Sequence, residues 1–230
     1  MRSFVTKPLS IWSTDRGLGI ILALIIADLL VENLPENIGE FEEMSISIVL
    51  SLFLVMGAAT VATNRLTTWM AASIASITVG ACWLNYLTSA RWVAIVEVIA
   101  SLLFYTLFIF VVSKEVFSPG KVTKYKIEGS IAVFILVAMA WAQLFHLAEL
   151  LVPGSMHFST TPTSFNSMRR DLVYFALTTL TTSGYGDIVP VSRAVRILAA
   201  LEAFVGVLYP SILIGRLVSL ELDSEDRNKG

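Results

Sequence analysis

A polar, glycine-rich segment, TTSGYGD (residues 181–187), interrupts a chain that is otherwise strongly apolar. Glycine adopts left-handed backbone conformations at little cost, so Gly184 and Gly186 predict a backbone that alternates between right- and left-handed residues. Such alternation turns successive carbonyl groups toward one axis, where rings of carbonyls from four chains can replace the hydration shell of a potassium ion. Thr182 would add a ring of hydroxyls, and Tyr185 would point outward and brace the segment. The segment is therefore predicted to coordinate a cation.

An apolar run over residues 168–181 leads into this segment. It is long enough for a helix but too short to span a bilayer, which takes about 20 residues. Ser167 is predicted to cap this helix, and Asp171 complements its dipole. The carboxyl end near Thr181 would direct partial negative charge at the cavity beneath. Because irregular backbone at membrane depth must be buried in protein or line a water-filled path, we expect residues 182–187 to line such a path.

The composition of the whole chain indicates a membrane protein. Of the 230 residues, 56% are hydrophobic and 15% are charged, whereas soluble domains are about half apolar and a quarter charged. Asp28 and Glu32 stand where a cleavable signal would have small residues, so the first apolar run is predicted to span the membrane. The predicted transmembrane helices cover residues 17–34, 45–63, 68–88, 92–113, 127–152 and 193–219.

Charge distribution orients these helices. Basic residues concentrate in the segments that face the cytoplasm when the N-terminus is placed there, so both termini are predicted to be cytoplasmic and the protein to lie in the plasma membrane. The predicted regions are a cytoplasmic segment (1–16), a four-helix transmembrane domain (17–113), an inner linker (114–126), a domain with an outer and an inner helix (127–219) and a tail (220–230).

TTSGYGD resembles the potassium-channel filter sequence TVGYGD, with Ser183 where valine is usual. The order of outer helix, half-helix, filter and inner helix is similar to the pore domain of tetrameric potassium channels, and the resemblance is specific over Tyr174–Val218. It implies an all-α membrane protein with six transmembrane helices, a re-entrant pore helix and a selectivity filter loop, assembled as a homotetramer. It also implies potassium conduction, with K+ at the filter as the one metal, no cofactor and no nucleic-acid partner. The predicted ion-binding residues are Thr182, Ser183, Gly184, Tyr185 and Gly186.

Two departures from the family pattern affect the support of the filter. Tyr174 and Phe175 stand where some relatives carry a tryptophan pair, and Thr178 stands where some carry a glutamate behind the filter. With Thr181 and Asp187, these are the predicted supporting residues. We therefore expect a filter that is braced differently and is prone to collapse at low potassium.

The inner helix carries the candidate gating residues. Gly206 occupies the position of the family's hinge glycine, although glycine also lets membrane helices pack closely. Pro210 is expected to bend the helix because it breaks one backbone hydrogen bond. Helical spacing makes Val207, Ile214 and Val218 candidates to line the pore.

Ionisable residues within apolar segments are functional candidates by default. His146 and Glu149, three residues apart on one helix, are predicted to share a hydrogen bond or a proton. Glu202 is predicted to pair behind the filter. Asp28 lies deep in the first span and is a further candidate.

The fourth span lacks the regular arginines of a voltage sensor. Its basic residues, Arg91 and Lys114, lie at its ends, and Glu97 is acidic. Weak or absent voltage dependence is therefore expected. Glu97 is predicted to lie near the outer interface with Arg91 as a partner.

The inner linker carries four lysines. Its lysines suit anionic lipid headgroups or serve as ordinary membrane anchors. The alternatives are a weakly selective monovalent cation channel, because Ser183 is unusual, a non-conducting partner subunit, and an intramembrane metalloenzyme built on His146, Glu149 and His157. No HExxH or cysteine cluster supports the last, and no enzymatic activity is expected. The linker lysines are Lys114, Lys121, Lys124 and Lys126.

Overall fold

A computed structural model describes residues 16–32, 65–88, 90–118 and 123–229. The described part of the chain is mainly helical. The predicted second span, residues 45–63, lies outside the described residues, as do the Asp28 and Glu32 side chains. The elements are α1 (Arg16–Glu32), α2 (Arg65–Thr88), α3 (Arg91–Val116), α4 (Lys124–Leu151), β1 (Met156–Phe158), α5 (Phe165–Leu180), β2 (Ile188–Pro190) and α6 (Arg193–Lys229).

Three helices in these ranges are long and apolar enough to cross a membrane. They are Arg91–Val116, Lys124–Leu151 and the Arg193–Arg216 part of α6. α2 contains a shorter apolar stretch, Trp69–Asn85. The architecture is therefore that of a helical protein with three membrane-capable helices in the described ranges, and a short helix lies between the last two of them.

α5 begins earlier than its sequence predicts. Ser164 is its N-cap and has an extended backbone, with φ −142° and ψ 169°. The Ser164 hydroxyl accepts from the backbone N–H of Ser167 at 3.1 Å, and the Ser167 hydroxyl accepts from the backbone N–H of Ser164 at 2.9 Å. Ser167 therefore closes a capping box from the third helical position, and its assignment as N-cap is wrong.

The ends of the long helices also differ from prediction in part. α4 ends at Leu151, one residue before the expected end at residue 152, and a Val-Pro-Gly sequence follows it, in which proline and glycine disfavour a continued helix. α6 continues to Lys229, ten residues beyond the expected end at residue 219. Arg91 donates to the carbonyl oxygen of Leu150 from Nε at 3.1 Å and from Nη2 at 2.6 Å. The predicted pairing of Arg91 with Glu97 is wrong, because this guanidinium caps the last turn of α4.

Two apolar clusters hold the helices together. The first joins α1 to α4 and includes the buried side chains of Ile25, Phe104 and Leu136. The second surrounds α5 and packs Val173 and Ala176 against the outer parts of α4 and α6. The second cluster fixes the position of α5, and so of the segment that follows it.

Candidate ion-coordination site

Every second residue of the glycine-rich segment has a left-handed backbone. The φ angles are 59° at Thr182, 51° at Gly184 and 82° at Gly186. The two glycines adopt the conformation expected of them, whereas Thr182 is a non-glycine residue in a region that L-residues seldom occupy. The segment therefore has the regular alternation that a column of backbone carbonyls requires.

The segment is attached to the last turns of α5 by backbone hydrogen bonds. The carbonyl oxygen of Thr178 accepts from the N–H of Ser183 at 2.8 Å and from the N–H of Gly184 at 3.1 Å. The N–H of Thr182 donates to the Thr179 carbonyl oxygen at 2.9 Å. These contacts satisfy carbonyls that the end of a helix leaves open. Thr178 thus contacts the segment through its backbone, since its hydroxyl donates to Phe175 at 3.0 Å.

The side chain of Ser183 has a partner that valine could not have. Its hydroxyl lies 3.1 Å from the hydroxyl of Thr181. The Thr181 hydroxyl is also 2.7 Å from the carbonyl oxygen of Leu177. Ser183 therefore connects the segment to the end of α5 through a pair of hydroxyl groups.

At the outer end, Tyr174 contacts the segment in two ways. Its ring stacks on that of Tyr185, with centroids 6.3 Å apart and planes 8° from parallel. Its hydroxyl hydrogen-bonds to the carboxylate of Asp187. Desolvation, followed by this hydrogen bond and the charge of Asp187, raises the pKa of Tyr174 above its ordinary value of 10.0. Phe175 is buried against Phe145, with ring centroids 5.0 Å apart, and so faces α4.

A two-stranded sheet adjoins the segment. β2 follows the segment directly, and β1 lies before α5 in the sequence. β1 and β2 are antiparallel, with Phe158 opposite Ile188 and Met156 opposite Pro190. The N–H of Ser159 donates to the carbonyl oxygen of Asp187 at 2.9 Å, which extends the pairing to the end of the segment. Residues 155–167 are polar in sequence and would be expected to form an exposed segment, but Met156 of β1 is buried. Strands of three residues are too short to show a period in the sequence.

Glu149 holds the turn that begins this sheet. One carboxylate oxygen accepts from the N–H of Gly154 at 2.7 Å. The other accepts from the Ser155 hydroxyl and from the N–H of Met156, both at 2.9 Å. His146 is fully buried beside the ring of Phe165, and neither ring nitrogen has a hydrogen-bond partner among the described residues. The predicted sharing between His146 and Glu149 is therefore wrong.

Gly206 on α6 lies against the end of α5. A Cβ atom at this position would lie 2.7 Å from the carbonyl carbon of Leu180 and closer still to its oxygen. Close packing therefore accounts for this glycine whether or not the helix also bends there. Pro210, four residues later, has no N–H, so the Gly206 carbonyl lacks its usual helical partner. α6 nevertheless continues as a helix through this point.

The remaining candidates on α6 divide into a buried and an exposed group. Glu202 is fully buried, and within the described ranges neither of its carboxylate oxygens has a hydrogen-bond partner, so the pairing expected of it is not found there. In a single chain, Val207 is 56% exposed, Ile214 63% and Val218 54%. Their side chains are free to face a common axis.

The burial of two charged residues was missed by sequence reasoning. Arg169 on α5 and Glu97 on α3 are 6% and 3% exposed. The available signal was a charged residue within an apolar run of each helix. The burial itself depends on how separate helices pack, which the pattern of one helix does not show.

Most of the described linker lysines contact groups within the chain. Lys126 donates to the carbonyl oxygen of Ser118 at 2.7 Å, and Lys124 lies 3.5 Å from Glu128. Lys114 is exposed and lies over the ring of Phe110. Lys121 lies outside the described residues.

The described residues contain no group of three or more histidine, cysteine or acidic side chains that could hold a metal. His157, which the metalloenzyme hypothesis requires beside His146, is exposed on β1, whereas His146 is buried. The glycine-rich segment and its supports therefore remain the candidate site.

Comparison with known proteins agrees with this location. Residues 132–221 match a family model described as "Ion channel". Over 94 residues the chain is 32% identical to two pore potassium channel c of Oryza sativa subsp. japonica. This matched segment is 41% of this chain and 19% of that protein. Over 53 residues it is 45% identical to two-pore potassium channel 1 of Arabidopsis thaliana. This matched segment is 23% of this chain and 14% of that protein.

These matches support a potassium channel family. The matched region contains α5, the glycine-rich segment and most of α6. The matched segments span less than a fifth of either curated relative. No solved structure is significantly similar to the chain.

Proposed function

We propose that this chain is one subunit of a homotetrameric potassium-selective channel that conducts K+ passively. The alternation of left-handed residues at Thr182, Gly184 and Gly186 carries the proposal. A backbone of this kind can present consecutive carbonyl oxygens to a dehydrated cation. The ion-binding residues are Thr182, Ser183, Gly184, Tyr185 and Gly186, without a further cofactor.

The need for four subunits follows from the same segment. One chain supplies one wall of a coordination site, so closed rotational symmetry is required to complete it. In a single chain Tyr185 is 74% exposed and Phe204 of α6 is 60% exposed. Both surfaces would be covered or would face the pore in a tetramer. Val207, Ile214 and Val218 are the proposed lining residues of the inner helix, with a gate near Gly206 and Pro210.

We propose that the chain crosses the membrane six times. The first four spans form a domain over residues 17–113, which resembles a sensor domain without gating arginines. Both termini face the cytoplasm of a cell whose plasma membrane holds the channel. Lys114, together with the other linker lysines, contacts anionic lipid headgroups. Gating is largely independent of voltage, because the basic residues of α3, Arg91 and Lys114, lie at its ends.

Ion flux through liposomes that contain the purified full chain tests this function. We expect K+ flux that is lost when Na+ replaces K+, and lost in Gly184→Ala, because alanine is strained at a φ of 51° although no atom obstructs its Cβ. Gly215→Ala is the matched control: its Cβ also meets nothing within 4 Å, and it lies in a helix. Equal Na+ and K+ flux would identify a weakly selective cation channel. A folded tetramer without flux would favour a non-conducting subunit.

A further inference from the structure

Tyr209 joins α6 to α4 by a hydrogen bond. Its hydroxyl donates to the carbonyl oxygen of Ser130 at 2.8 Å. Its ring also packs against the ring of Phe134, with centroids 5.6 Å apart and planes 31° from parallel. Ser130 is fully buried and Tyr209 is half-buried, so water competes little for this contact. A phenol hydroxyl that is removed from water needs a partner, and the Ser130 carbonyl supplies it.

The acceptor of this hydrogen bond belongs to the backbone of α4. Ser130 lies within the continuous helix Lys124–Leu151, in which each carbonyl accepts from the N–H four residues later. A carbonyl oxygen has two lone pairs, so that of Ser130 can also accept from the tyrosine. The Ser130 hydroxyl is engaged separately, with the carbonyl oxygen of Lys126 at 2.7 Å. The contact therefore depends on the Tyr209 hydroxyl and on the position of the α4 backbone.

α6 is attached to the rest of the subunit at two levels. Towards its start, Val195 and Ala199 belong to the second apolar cluster, and Gly206 lies against Leu180 of α5. Tyr209 packs against the first apolar cluster instead, and among the described residues it is the only member of α6 that does so. The tyrosine thus holds α6 to a part of the subunit that the earlier residues of this helix do not contact.

The backbone of α6 is weakest at the same place. Pro210 leaves the Gly206 carbonyl without its helical donor, and the missing hydrogen bond would have enclosed residues 207–209. Beyond the proline, the side chains of residues 211–216 are exposed or half-buried, and none of these six is buried. The turn before Pro210 is therefore where α6 can bend, and Tyr209 holds that turn to α4.

We propose that Tyr209 is a positioning residue for the gate: its hydrogen bond to Ser130, named the latch here, stabilises one of two positions of the weakened turn and so one conductance state of the pore. In the other state α6 bends away and the latch is broken. The inference rests on the proposed function and gives the gate a control point on the face of α6 towards α4. Packing on Phe134 explains an aromatic ring at this position, whereas the latch explains its hydroxyl.

Single-channel recording of the full-length protein in planar bilayers tests the latch. The matched pair of replacements for Tyr209 is para-aminophenylalanine and para-methylphenylalanine. The amino group can donate to the Ser130 carbonyl and the methyl group cannot, although the two groups are nearly equal in size. Tyr209→Phe removes the hydroxyl without a replacement. Tyr125→Phe, which removes a hydroxyl from the first turn of α4, is the control.

We expect Tyr209→Phe and the methyl variant to shorten the mean dwell time of one conductance state, open or closed, by about fivefold or more, the worth of one ordinary hydrogen bond. The other state should keep its dwell time, because no latch stabilises it. The amino variant should restore the wild-type dwell times, and Tyr125→Phe should leave them unchanged. Single-channel conductance should stay constant in all variants, because the filter is not altered.

A role in folding alone would lower the melting temperature and leave both dwell times unchanged, and that result overturns the inference. Equal dwell times in the amino and methyl variants would overturn it as well, because a hydrogen-bond donor would then be irrelevant. If the amino variant assembles and the variants without a donor do not, the hydroxyl serves folding and the inference is again overturned.

Failure of the inference is distinguishable from failure of the proposed function. Wild-type channels that conduct K+ selectively but never close would contradict the latch and leave the proposed function intact. Wild-type protein that conducts no ions would overturn the proposed function, and the inference with it.

Discussion

The carbonyl oxygen of Thr178 receives the N–H of Ser183 at 2.8 Å, which joins the end of α5 to the segment that it precedes. The same oxygen also receives Gly184 at 3.1 Å. The end of the segment next to α5 is therefore held by these backbone contacts together with the hydroxyl pair of Thr181 and Ser183. Side-chain support is concentrated at the outer end, where Tyr174 contacts Tyr185 and Asp187.

Removal of the Tyr174 hydroxyl tests the outer support. Tyr174→Phe keeps the stacked ring but loses the hydrogen bond to Asp187. We expect K+ currents to decay severalfold faster in low external potassium, with little change in high potassium, because bound K+ opposes collapse of the filter. Tyr125→Phe, at the inner end of α4, is the control and should decay as wild type does. Identical decay in both variants would show that this hydrogen bond does not support the filter.

The Glu149 carboxylate is expected to stabilise the outer sheet. It accepts from three donors, of Gly154, Ser155 and Met156, and an amide has one oxygen to offer them. Glu149→Gln should therefore destabilise the channel by about 1–3 kcal/mol, the cost of leaving partly buried donors unsatisfied. Thermal unfolding in detergent measures the effect, with Glu115→Gln as the reference. An unchanged melting temperature would mean that water replaces the carboxylate without loss.

Gly206→Ala distinguishes packing from bending. The added methyl group would overlap the Leu180 carbonyl, which is backbone and cannot rotate away. We expect a loss of about 1–3 kcal/mol, as overpacked cores show, and a lower yield of tetramer by size-exclusion chromatography. Gly215→Ala should have no such effect. Normal assembly with altered opening would instead assign Gly206 a role as a hinge.

Voltage dependence should be weak. Each elementary charge moved through the membrane field is worth about 2.3 kcal/mol per 100 mV, and α3 has basic residues at its ends alone. Steady-state conductance in planar bilayers should change less than about twofold per 100 mV, well below the effect of one full gating charge. A steep conductance–voltage curve would require a charge that moves elsewhere in the chain.

Much of the site could be predicted because its requirements are local. Glycines at alternate positions need left-handed conformations, and Gly184 and Gly186 adopt them. The short apolar run before them forms a helix, and α4 ends where valine, proline and glycine occur together. In each case the residues that decide the structure are neighbours in the sequence.

The errors arise where distant residues compete for the same group. His146 and Glu149 have the spacing for a hydrogen bond, but both oxygens of the carboxylate accept hydrogen bonds from Gly154, Ser155 and Met156 instead. Arg91 lies one and a half turns from Glu97, yet it caps α4. The burial of Glu97 and of Arg169 depends on how separate helices pack, which spacing along one helix does not reveal.

The reversal potential of wild-type channels in planar bilayers, with K+ on one side and Na+ on the other, measures potassium selectivity directly. We expect a reversal potential far from zero, of the sign that K+ diffusion sets, in wild type and in Gly215→Ala, and no K+ current in Gly184→Ala. A reversal potential near zero in wild type would contradict this expectation, since the alternating backbone of residues 182–186 would then not select potassium.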